Sequence, residues 1–321
     1  MAVRVGFVGA GGIASAHMNA LQMLDDVQIV AVSDVVHERA ESAAARYLAR
    51  AYSDYREMIA SEGMDALYVC VPPFAHVDQE LLAAEKGIHL FVEKPVSHDI
   101  EKACEIGKAI KRNNIISAVG YHWRYQSNTD RARELLQGRK IGMVQGYWMG
   151  GMPGVGWWRS MEKSGGQMVD QTTHIVDLAR YLCGEVIEVC AAYGNQVLNE
   201  VPQFDVYDVG TCILKFANGV IGSISNTCIL DVPYTVGLHI VARNLVLEMH
   251  GDLKVIEPGH TEVFAAGHNP MFAETAAFIH AVKTGDTSGI RSSYDDATKT
   301  LEVTLACNES AKTGQPVRLV S

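Results

Sequence analysis

Three side chains in this sequence could work together in proton transfer: the amine of Lys94, the carboxylate of Asp170 and the imidazole of His174. A lysine charge can stabilise an oxygen that becomes negative during a reaction. Histidine titrates near neutral pH, which makes His174 the expected base. Asp170 lies four residues earlier, so both would project from one helical face. We predict that all three are catalytic, with Asp170 orienting His174 or binding a substrate hydroxyl.

Lys94 lies where a buried strand would stop abruptly. Residues 90–92 are apolar, and Pro95 cannot donate to a sheet ladder. Lys94 would therefore lie at the carboxyl end of a strand, where open α/β sheets bind their ligands. The alternative is an ordinary surface turn closed by proline. For His174 the alternative is a structural helix histidine.

A glycine motif of the form G-x-G-x-x-G/A follows the first predicted strand, residues 3–8, with Ala14 in its third place. The first glycine permits a tight turn, the second admits a pyrophosphate, and Ala14 lets helix and strand pack closely. The following helix would bind the phosphates with its free N–H groups. The predicted contacts in this dinucleotide site are Gly9, Gly11, Gly12 and Ile13.

Asp34 ends the second predicted strand, residues 27–33, at the spacing expected for the acid that binds the adenosine ribose. Its carboxylate would accept both ribose hydroxyls and repel a 2′-phosphate, so NAD is favoured as the cofactor. Arg39 could instead turn toward a phosphate, and NADP remains the less favoured cofactor for that reason. An ordinary helix cap is the alternative for Asp34.

Further cofactor contacts are expected where later strands end. Pro72 closes the strand predicted over residues 66–71 and would lie near the nicotinamide. His76, shortly after it, is either a helix cap or a neighbour of the cofactor. Glu93 and Lys94 follow the next predicted strand and complete the set of predicted cofactor contacts.

The fold class follows from how the pattern changes along the chain. Strands alternate with helices up to residue 121, which predicts a Rossmann domain with a doubly wound parallel sheet over residues 1–121. Residues 122–321 carry longer strands and an Asn218-Gly219 hairpin signal. They predict a second α/β domain for substrate binding and oligomerisation, with an open, mostly antiparallel sheet covered by helices on one face.

Two segments of the second domain could contact a substrate. Residues 121–125 combine aromatic and cationic groups, which suits a sugar, and His122 and Arg124 are the candidates there. The alternative is a domain junction packed with aromatics. Residues 150–158 form a glycine-rich loop ending in Trp158, which is either a substrate cover or an oligomer contact. Asp170 and His174 complete the predicted substrate contacts.

Composition narrows the function classes. Apolar residues make up 48% and charged ones 20%, which is ordinary globular composition and excludes long disorder. The net charge of −10 argues against a nucleic-acid partner. No apolar run is long enough for a membrane span. We see neither the residue layout of a signal peptide nor a spacing typical of metal ligands. Seven scattered cysteines predict reduced thiols and a cytoplasmic protein.

The glycine motif, Glu93-Lys94-Pro95, and the Gly165-Gly166…Asp170…His174 segment occur in an order that resembles the Gfo/Idh/MocA oxidoreductase family over essentially the whole chain. The resemblance implies a pyranose or cyclitol substrate, a catalytic lysine at Lys94 partnered by Asp170 and His174, and a cis Lys94–Pro95 bond. It also implies a homodimer or homotetramer assembled through the free face of the second sheet.

The sequence departs from the family in two places, residues 121–124 and Gln167, which replaces a third glycine. Both lie where substrate identity is set.

Our functional hypothesis is reversible NAD-dependent oxidation of a secondary alcohol, with hydride passing to the nicotinamide and the hydroxyl proton to a base. Two alternatives stay open on the same frame. One is an NAD-dependent glycosidase that oxidises its substrate transiently. The other is a non-catalytic regulator that responds to NAD.

Overall fold

The computed structural model describes residues 2–319, which divide into two compact units. The first unit runs to Tyr125 and includes Asn269–Thr298, and the second comprises Gln126–His268 and the chain from Lys299 onward. The α-helices of the described chain are, in order, α1 (Gly12–Leu21), α2 (His37–Tyr47), α3 (Tyr55–Ser61), α4 (Gln79–Glu85), α5 (Ile100–Arg112), α6 (Ser127–Leu136), α7 (Met161–Ser164), α8 (Gln167–Asp170), α9 (Thr173–Cys183), α10 (Pro270–Thr284) and α11 (Tyr294–Thr313).

The first unit contains a six-stranded parallel sheet. Its strands are β1 (Val3–Val8), β2 (Val27–Ser33), β3 (Arg50–Tyr52), β4 (Ala66–Val69), β5 (His89–Val92) and β6 (Ser117–Val119). They are ordered β3-β2-β1-β4-β5-β6, the order of a doubly wound dinucleotide-binding sheet. The predicted Rossmann fold is confirmed.

Stacked aromatic rings hold the centre of this sheet together. Phe7, Tyr68 and Phe91, from the three adjacent strands β1, β4 and β5, stack with ring centroids 4.9 and 4.6 Å apart. Phe278 of α10 meets the rings of Tyr68 and Phe91 edge-on, each at 5.6 Å. Offset and edge-to-face contacts of this kind are favourable beyond the apolar area that they bury.

Helix α10 explains where the observed division departs from the predicted domain limits. We expected all residues after 121 to belong to the second domain, but residues 269–298 group with the first unit. The reason is that Phe278 and Ile279 are buried in the core cluster that contains Phe7 and Tyr68. The chain therefore returns to its first core before the second unit is completed by the residues from Lys299 onward.

The second unit is built on a nine-stranded sheet. Its strands are β7 (Ile141–Met149), β8 (Val186–Gly194), β9 (Val209–Phe216), β10 (Ile221–Thr227), β11 (Thr235–Ala242), β12 (Leu245–His250), β13 (Asp252–Glu257), β14 (His260–Phe264) and β15 (Val317–Arg318). The order is β14-β13-β12-β11-β7-β10-β9-β8-β15. Every neighbouring pair is antiparallel except β7 and β10, so the predicted mostly antiparallel sheet is confirmed.

The two faces of this sheet differ in burial. On β9 the residues alternate between a buried set and an exposed set, as expected for a sheet with one covered face. Helix α9 packs against β7 and β11 on the covered face. The apolar residues near the end of the sequence predict a last strand over residues 317–320. The observed strand ends at Arg318, and residue 320 lies outside the described residues. Strands β13 and β14 were not predicted.

No helix within residues 2–319 combines the length and the apolar character that crossing a bilayer requires.

Replacing Phe278 by alanine tests whether α10 is part of the first core. Phe278 is fully buried, so Phe278→Ala is expected to lower the free energy of unfolding by about 3–5 kcal/mol. Urea denaturation measures the loss, and His280→Ala, at an exposed position of the same helix, is the matched control. A loss no larger than that of the control would contradict the assignment of α10 to this core.

Candidate active site

The predicted site residues of the first unit follow the ends of adjacent parallel strands. The last residues of β1, β4 and β5 lie in register. One residue further, Cys70 N donates to the last carbonyl of β1 at 2.8 Å, Glu93 N to that of β4 at 2.9 Å, and Gly120 N to that of β5 at 3.0 Å. Lys94 follows Glu93 at the end of β5, and His122 lies two residues beyond Gly120, which follows β6, so the ladder brings both to the carboxyl edge of one sheet.

The glycine turn after β1 fits a pyrophosphate. Gly9 has φ +94°, and a Cβ there would lie 2.3 Å from the carbonyl oxygen of Cys70, so only glycine is accommodated. Gly11 is the N-cap of α1 and offers no side chain, which leaves the first N–H groups of the helix to a ligand or water. A Cβ at Gly11 or Gly12 would meet open space, so this backbone can be approached closely.

Asp34 is fixed beside that turn. Its Oδ2 accepts a hydrogen bond from Ala10 N at 2.8 Å, and its Oδ1 accepts one from Val36 N at 2.8 Å. Each carboxylate oxygen can accept a second hydrogen bond, as binding to ribose hydroxyls requires. The backbone contacts hold the carboxylate in place before any ligand arrives.

Arg39 lines a surface groove between α1 and α2 together with Ser15, Arg46 and Tyr47. Ile13, in the first turn of α1, is partly exposed. Pro72 precedes the 3₁₀ turn Pro73–Ala75 with extended backbone.

His76 does not present its ring to a ligand, although we predicted a cofactor contact. Its side chain is fully buried, and Nδ1 is hydrogen-bonded to Oε1 of Glu80, also fully buried, at 2.5 Å. His76 is the C-cap of the 3₁₀ turn Pro73–Ala75, which agrees with the alternative prediction of a helix cap, while Asp78 is the N-cap of α4. A buried imidazole needs a polar partner, and Glu80 provides it one helical turn later.

The bond between Lys94 and Pro95 is cis, as the family resemblance implied. Glu93 faces inward and is only 5% exposed. Its Oε1 is hydrogen-bonded to His17 Nε2 at 2.8 Å and its Oε2 accepts from Lys94 N at 3.1 Å. Glu93 thus fixes the backbone of Lys94, and its carboxylate is already committed to protein groups.

Burial by itself would raise the pKa of Glu93, but the hydrogen bond and charge of His17, with the charge of Lys94, lower it below its ordinary value. Burial lowers the pKa of His122; Glu93 opposes this shift, and the Lys94 charge adds to it. The His122 imidazole is therefore neutral at neutral pH. A neutral imidazole can both donate to and accept from a substrate hydroxyl.

Arg124 was predicted to contact the substrate, but its guanidinium is tied up inside the first unit. Arg124 is 3% exposed; Nη1 donates to the carbonyl of Arg291 at 2.5 Å, and Nη2 pairs with Oδ2 of Asp296 at 2.6 Å. A buried guanidinium must find acceptors, and residues about 170 positions later in the chain supply them. The sequence could not show these partners.

The segment that carries Asp170 and His174 was predicted to be one helix, but it is divided into α8 and α9 by Gln171 and Thr172. Asp170 ends α8 and is 9% exposed; His174 lies in the first turn of α9 and is 6% exposed. The His174 ring stacks on Trp148 of β7, with centroids 6.0 Å apart and planes at 16°.

Trp158 supports Asp170 from the loop before α7. Its side chain is fully buried, and Nε1 donates to Oδ2 of Asp170 at 2.9 Å. A ring enclosed in this way cannot be the predicted substrate contact. It orients a carboxylate instead.

The structure explains the presence of Gln167, which is one of the two departures from the family pattern. It is 3% exposed, and its Nε2 donates to the carbonyl of Thr227 at the end of β10 at 2.8 Å. Nearby, Asn226 Nδ2 donates to Oγ1 of Thr172 at 3.0 Å. These bonds fix the start of α8 and the break between α8 and α9 to the sheet.

Two residues near Lys94 were missed in the sequence. His17 and Glu274 lie with Glu93 in a cluster whose ligand-type atoms are within 4.8 Å of one another. Both nitrogens of His17 already have partners, Glu93 and Thr275 Oγ1, so the cluster is a poor fit to a metal ion. One signal was available: His17 lies on the face of α1 that carries Ala14 and Leu21, both buried.

Comparison with known proteins identifies the two halves of the chain. Residues 3–121 match the model of the oxidoreductase family with an NAD-binding Rossmann fold, and residues 129–253 match the GFO/IDH/MocA C-terminal domain. The chain is 28% identical over 228 residues to myo-inositol 2-dehydrogenase of Thermotoga maritima, covering 70% of this chain and 68% of that protein. It is 26% identical over 338 residues to scyllo-inositol 2-dehydrogenase (NAD(+)) of Bacillus subtilis, covering 99% and 96%.

Among solved structures, the chain is similar to levoglucosan dehydrogenase in complex with NADH and levoglucosan, with a TM-score of 0.89 and full coverage of both chains. The two sequences are 21% identical, so this match establishes the fold.

Removal of the indole N–H tests the support of Asp170. Trp158→Phe takes one buried donor from the carboxylate and is expected to lower the free energy of unfolding by about 1–3 kcal/mol. Thermal or urea denaturation measures it, and Trp157→Phe makes the same change at the adjacent, half-buried position. Equal losses in the two variants would show that the bond to Asp170 contributes nothing specific.

Proposed function

The chain belongs to the Gfo/Idh/MocA oxidoreductase family, and we propose that it interconverts a secondary alcohol and a ketone on a sugar, a sugar derivative or a cyclitol. NAD supplies the hydride acceptor or donor for this reaction. The substrate class is supported by the relatives, two of which are named inositol 2-dehydrogenases, and by a structural neighbour that binds levoglucosan.

The position of Lys94 carries the proposal. It follows β5 at the carboxyl edge of the parallel sheet, where its backbone N–H is held by Glu93. In our proposal its ammonium donates to the reacting oxygen of the substrate and stabilises the negative charge that develops there. A lysine whose backbone is fixed at the ligand-binding edge of a sheet favours a role in ligand binding or catalysis over the alternative of an ordinary surface turn.

We assign the proton transfer to His174, the general base in the oxidative direction. The proton leaves the substrate hydroxyl for an imidazole nitrogen as the carbon–oxygen double bond forms. Asp170 orients His174 or binds a neighbouring hydroxyl, and Trp158 in turn holds Asp170. His122, neutral and half-buried, is assigned to a substrate hydroxyl.

The cofactor contacts are assigned to the glycine turn, Ile13, Asp34 and Pro72. NAD is favoured over NADP because Asp34 would repel a 2′-phosphate, and its carboxylate is held in place by two backbone N–H groups. Arg39, in the groove between α1 and α2, is the group that an NADP preference would have to use.

We assign dinucleotide binding to the first unit and substrate binding and assembly to the second. The two alternative functions, a transiently oxidising glycosidase and a non-catalytic regulator, gain no support from the relatives described above, which are named dehydrogenases.

We also propose a reducing, cytoplasmic location, supported by seven cysteines that all lie within the described residues as free thiols.

The free face of the second sheet is the proposed surface for a homodimer or homotetramer. Met143 of β7 lies opposite Ile221 of β10. Ile213 of β9 is diagonal to Ile221 on the same face of the sheet. These three side chains are 45%, 44% and 50% exposed. Exposed apolar clusters on a sheet are typical of contacts between protein chains.

Replacing Lys94 by alanine tests the catalytic assignment. Loss of one catalytic group should reduce kcat by at least about a hundredfold, while the affinity for NAD, measured by fluorescence titration, stays nearly unchanged. Lys108→Ala, at an exposed position of α5, is the matched control and should keep full activity. Turnover close to that of the control would remove Lys94 from the mechanism.

The substrate class is tested with the purified protein, NAD or NADP, and a panel of monosaccharides, inositols and glycosides. Absorbance of the reduced cofactor is expected to rise with NAD and at least one sugar or inositol. Cleavage of a glycoside without net cofactor reduction would instead establish the glycosidase alternative.

A charge placed on the free face tests the assembly. Ile221→Lys is expected to convert the oligomer to monomers, because each subunit would have to bury an unpaired charge. Light scattering after gel filtration measures the mass. Met23→Lys, an equally drastic change at an exposed position of the first unit, should leave the assembly intact. An unchanged mass in both variants would place the interface elsewhere.

A further inference from the structure

Three ionisable side chains meet in the interior of the first unit, directly behind the backbone of Lys94. His17 comes from α1, Glu93 from the end of β5 and Glu274 from α10. Their ligand-type atoms all lie within 4.8 Å of one another, and the residues are 0%, 5% and 1% exposed. Burying several ionised side chains together costs free energy. The protonation of each member is therefore expected to depend on its hydrogen bonds and on the charges of the other members.

His17 is held at both ring nitrogens. Nε2 is 2.8 Å from Oε1 of Glu93, and Nδ1 is 3.1 Å from Oγ1 of Thr275. The Nε2–H donates to the Glu93 carboxylate, and Nδ1 lies within hydrogen-bond distance of the Thr275 hydroxyl. His17 therefore connects Glu93 to α10.

Glu93 is confined from the other side by Gly120. A Cβ at Gly120 would lie 2.5 Å from Oε1 of Glu93, so the carboxylate occupies the space that a side chain at 120 would need. The carboxylate also accepts from Lys94 N, and its pKa is lowered, as described above. Glu93 is thus the ionised member of the cluster.

Glu274 is the opposite case. Within residues 2–319 neither of its carboxyl oxygens has a hydrogen-bond partner. Burial raises its pKa well above the ordinary value, and the nearby charge of Glu93 raises it further. The other titratable groups that interact with it are Tyr68, Cys70 and Tyr125; burial raises the pKa of each, so all three are neutral.

We propose that Glu274 is a positioning residue that stays protonated at neutral pH, so that of the two carboxyl groups in the cluster only Glu93 is ionised, where it fixes Lys94. Two buried carboxylates this close cannot both ionise at low cost. An ionised Glu274 would favour a proton on Glu93, and a protonated Glu93 would accept more weakly from His17 and from Lys94 N. The positioning role rests on the proposed catalytic function of Lys94; the protonation state does not.

The dependence of stability on pH tests the protonation state. Because the pKa of Glu274 is raised on folding, its favourable contribution is complete below the unfolded value near 4.5 and is lost as pH rises toward the folded pKa. Glu274→Gln removes this dependence. The ratio of the unfolding constants of wild type and Glu274→Gln should therefore grow about tenfold per pH unit in that window.

Glu105→Gln, the same substitution at an exposed position of α5, controls for the lost charge. A Glu274→Gln effect as independent of pH as the control's would overturn the protonation proposal.

Infrared difference spectroscopy gives a second, direct readout. The wild type should show the carbonyl stretch of a buried protonated carboxylic acid at neutral pH, and Glu274→Gln should lack it. If that variant does not fold, following the wild-type band against pH decides the same point. Absence of the band at neutral pH would show that Glu274 is ionised.

The pH profile of kcat separates positioning from a merely structural role. In the wild type, ionisation of Glu274 should contribute an alkaline limb along which kcat falls; Glu274→Gln, which cannot ionise at this position, should lack that limb. A structural role would lower kcat by one factor at every pH, and profiles of identical shape would overturn the positioning role. If the wild type shows no dehydrogenase activity, that role fails with the proposed function, while the infrared and stability results still decide the protonation state.

Discussion

The hydrogen-bonded ladder between β1, β4 and β5 is the constraint on which the first unit depends. Because the three strands end in register, the chain leaves the sheet at one level each time. The glycine turn, the Glu93-Lys94 pair and the segment from Gly120 to His122 are thereby brought to one edge. The aromatic stack of Phe7, Tyr68 and Phe91 fixes that register, since a slip of one residue would turn each ring to the other face.

The same ladder explains why polar groups can be buried behind the edge. The levelled strand ends place Glu93 and Gly120 side by side, and the missing side chain of Gly120 leaves room for the carboxylate. His17 and Glu274 complete the cluster from two helices. Buried polar groups of this kind are tolerated only when each is satisfied or neutral, so the geometry of the edge depends on how the buried groups behind it are protonated.

In the second unit, aromatic side chains hold two polar residues, Asp170 and His174, in place. Asp170 is fixed by the buried indole of Trp158, and the His174 ring rests on Trp148. Gln167 ties the start of α8 to the end of β10. Gln167, which departs from the family pattern, thereby supports the segment that carries Asp170 and His174. Among the predicted substrate contacts, His122 is the one whose side chain is half-buried and not fully enclosed.

The sequence by itself determined the features that depend on neighbours along the chain. Apolar strands, the glycine turn, the acid at Asp34 and the strand end at Lys94 are local patterns, and the fold and family followed from their order. Tertiary structure alone decided which polar groups became enclosed. Arg124 is bound by residues far along the chain, Trp158 and His76 are buried against carboxylates, and α10 returns to the first core to bring Glu274 beside Glu93. The physical reason is that burial and charge pairing depend on contacts between distant residues, for which a local pattern carries no signal.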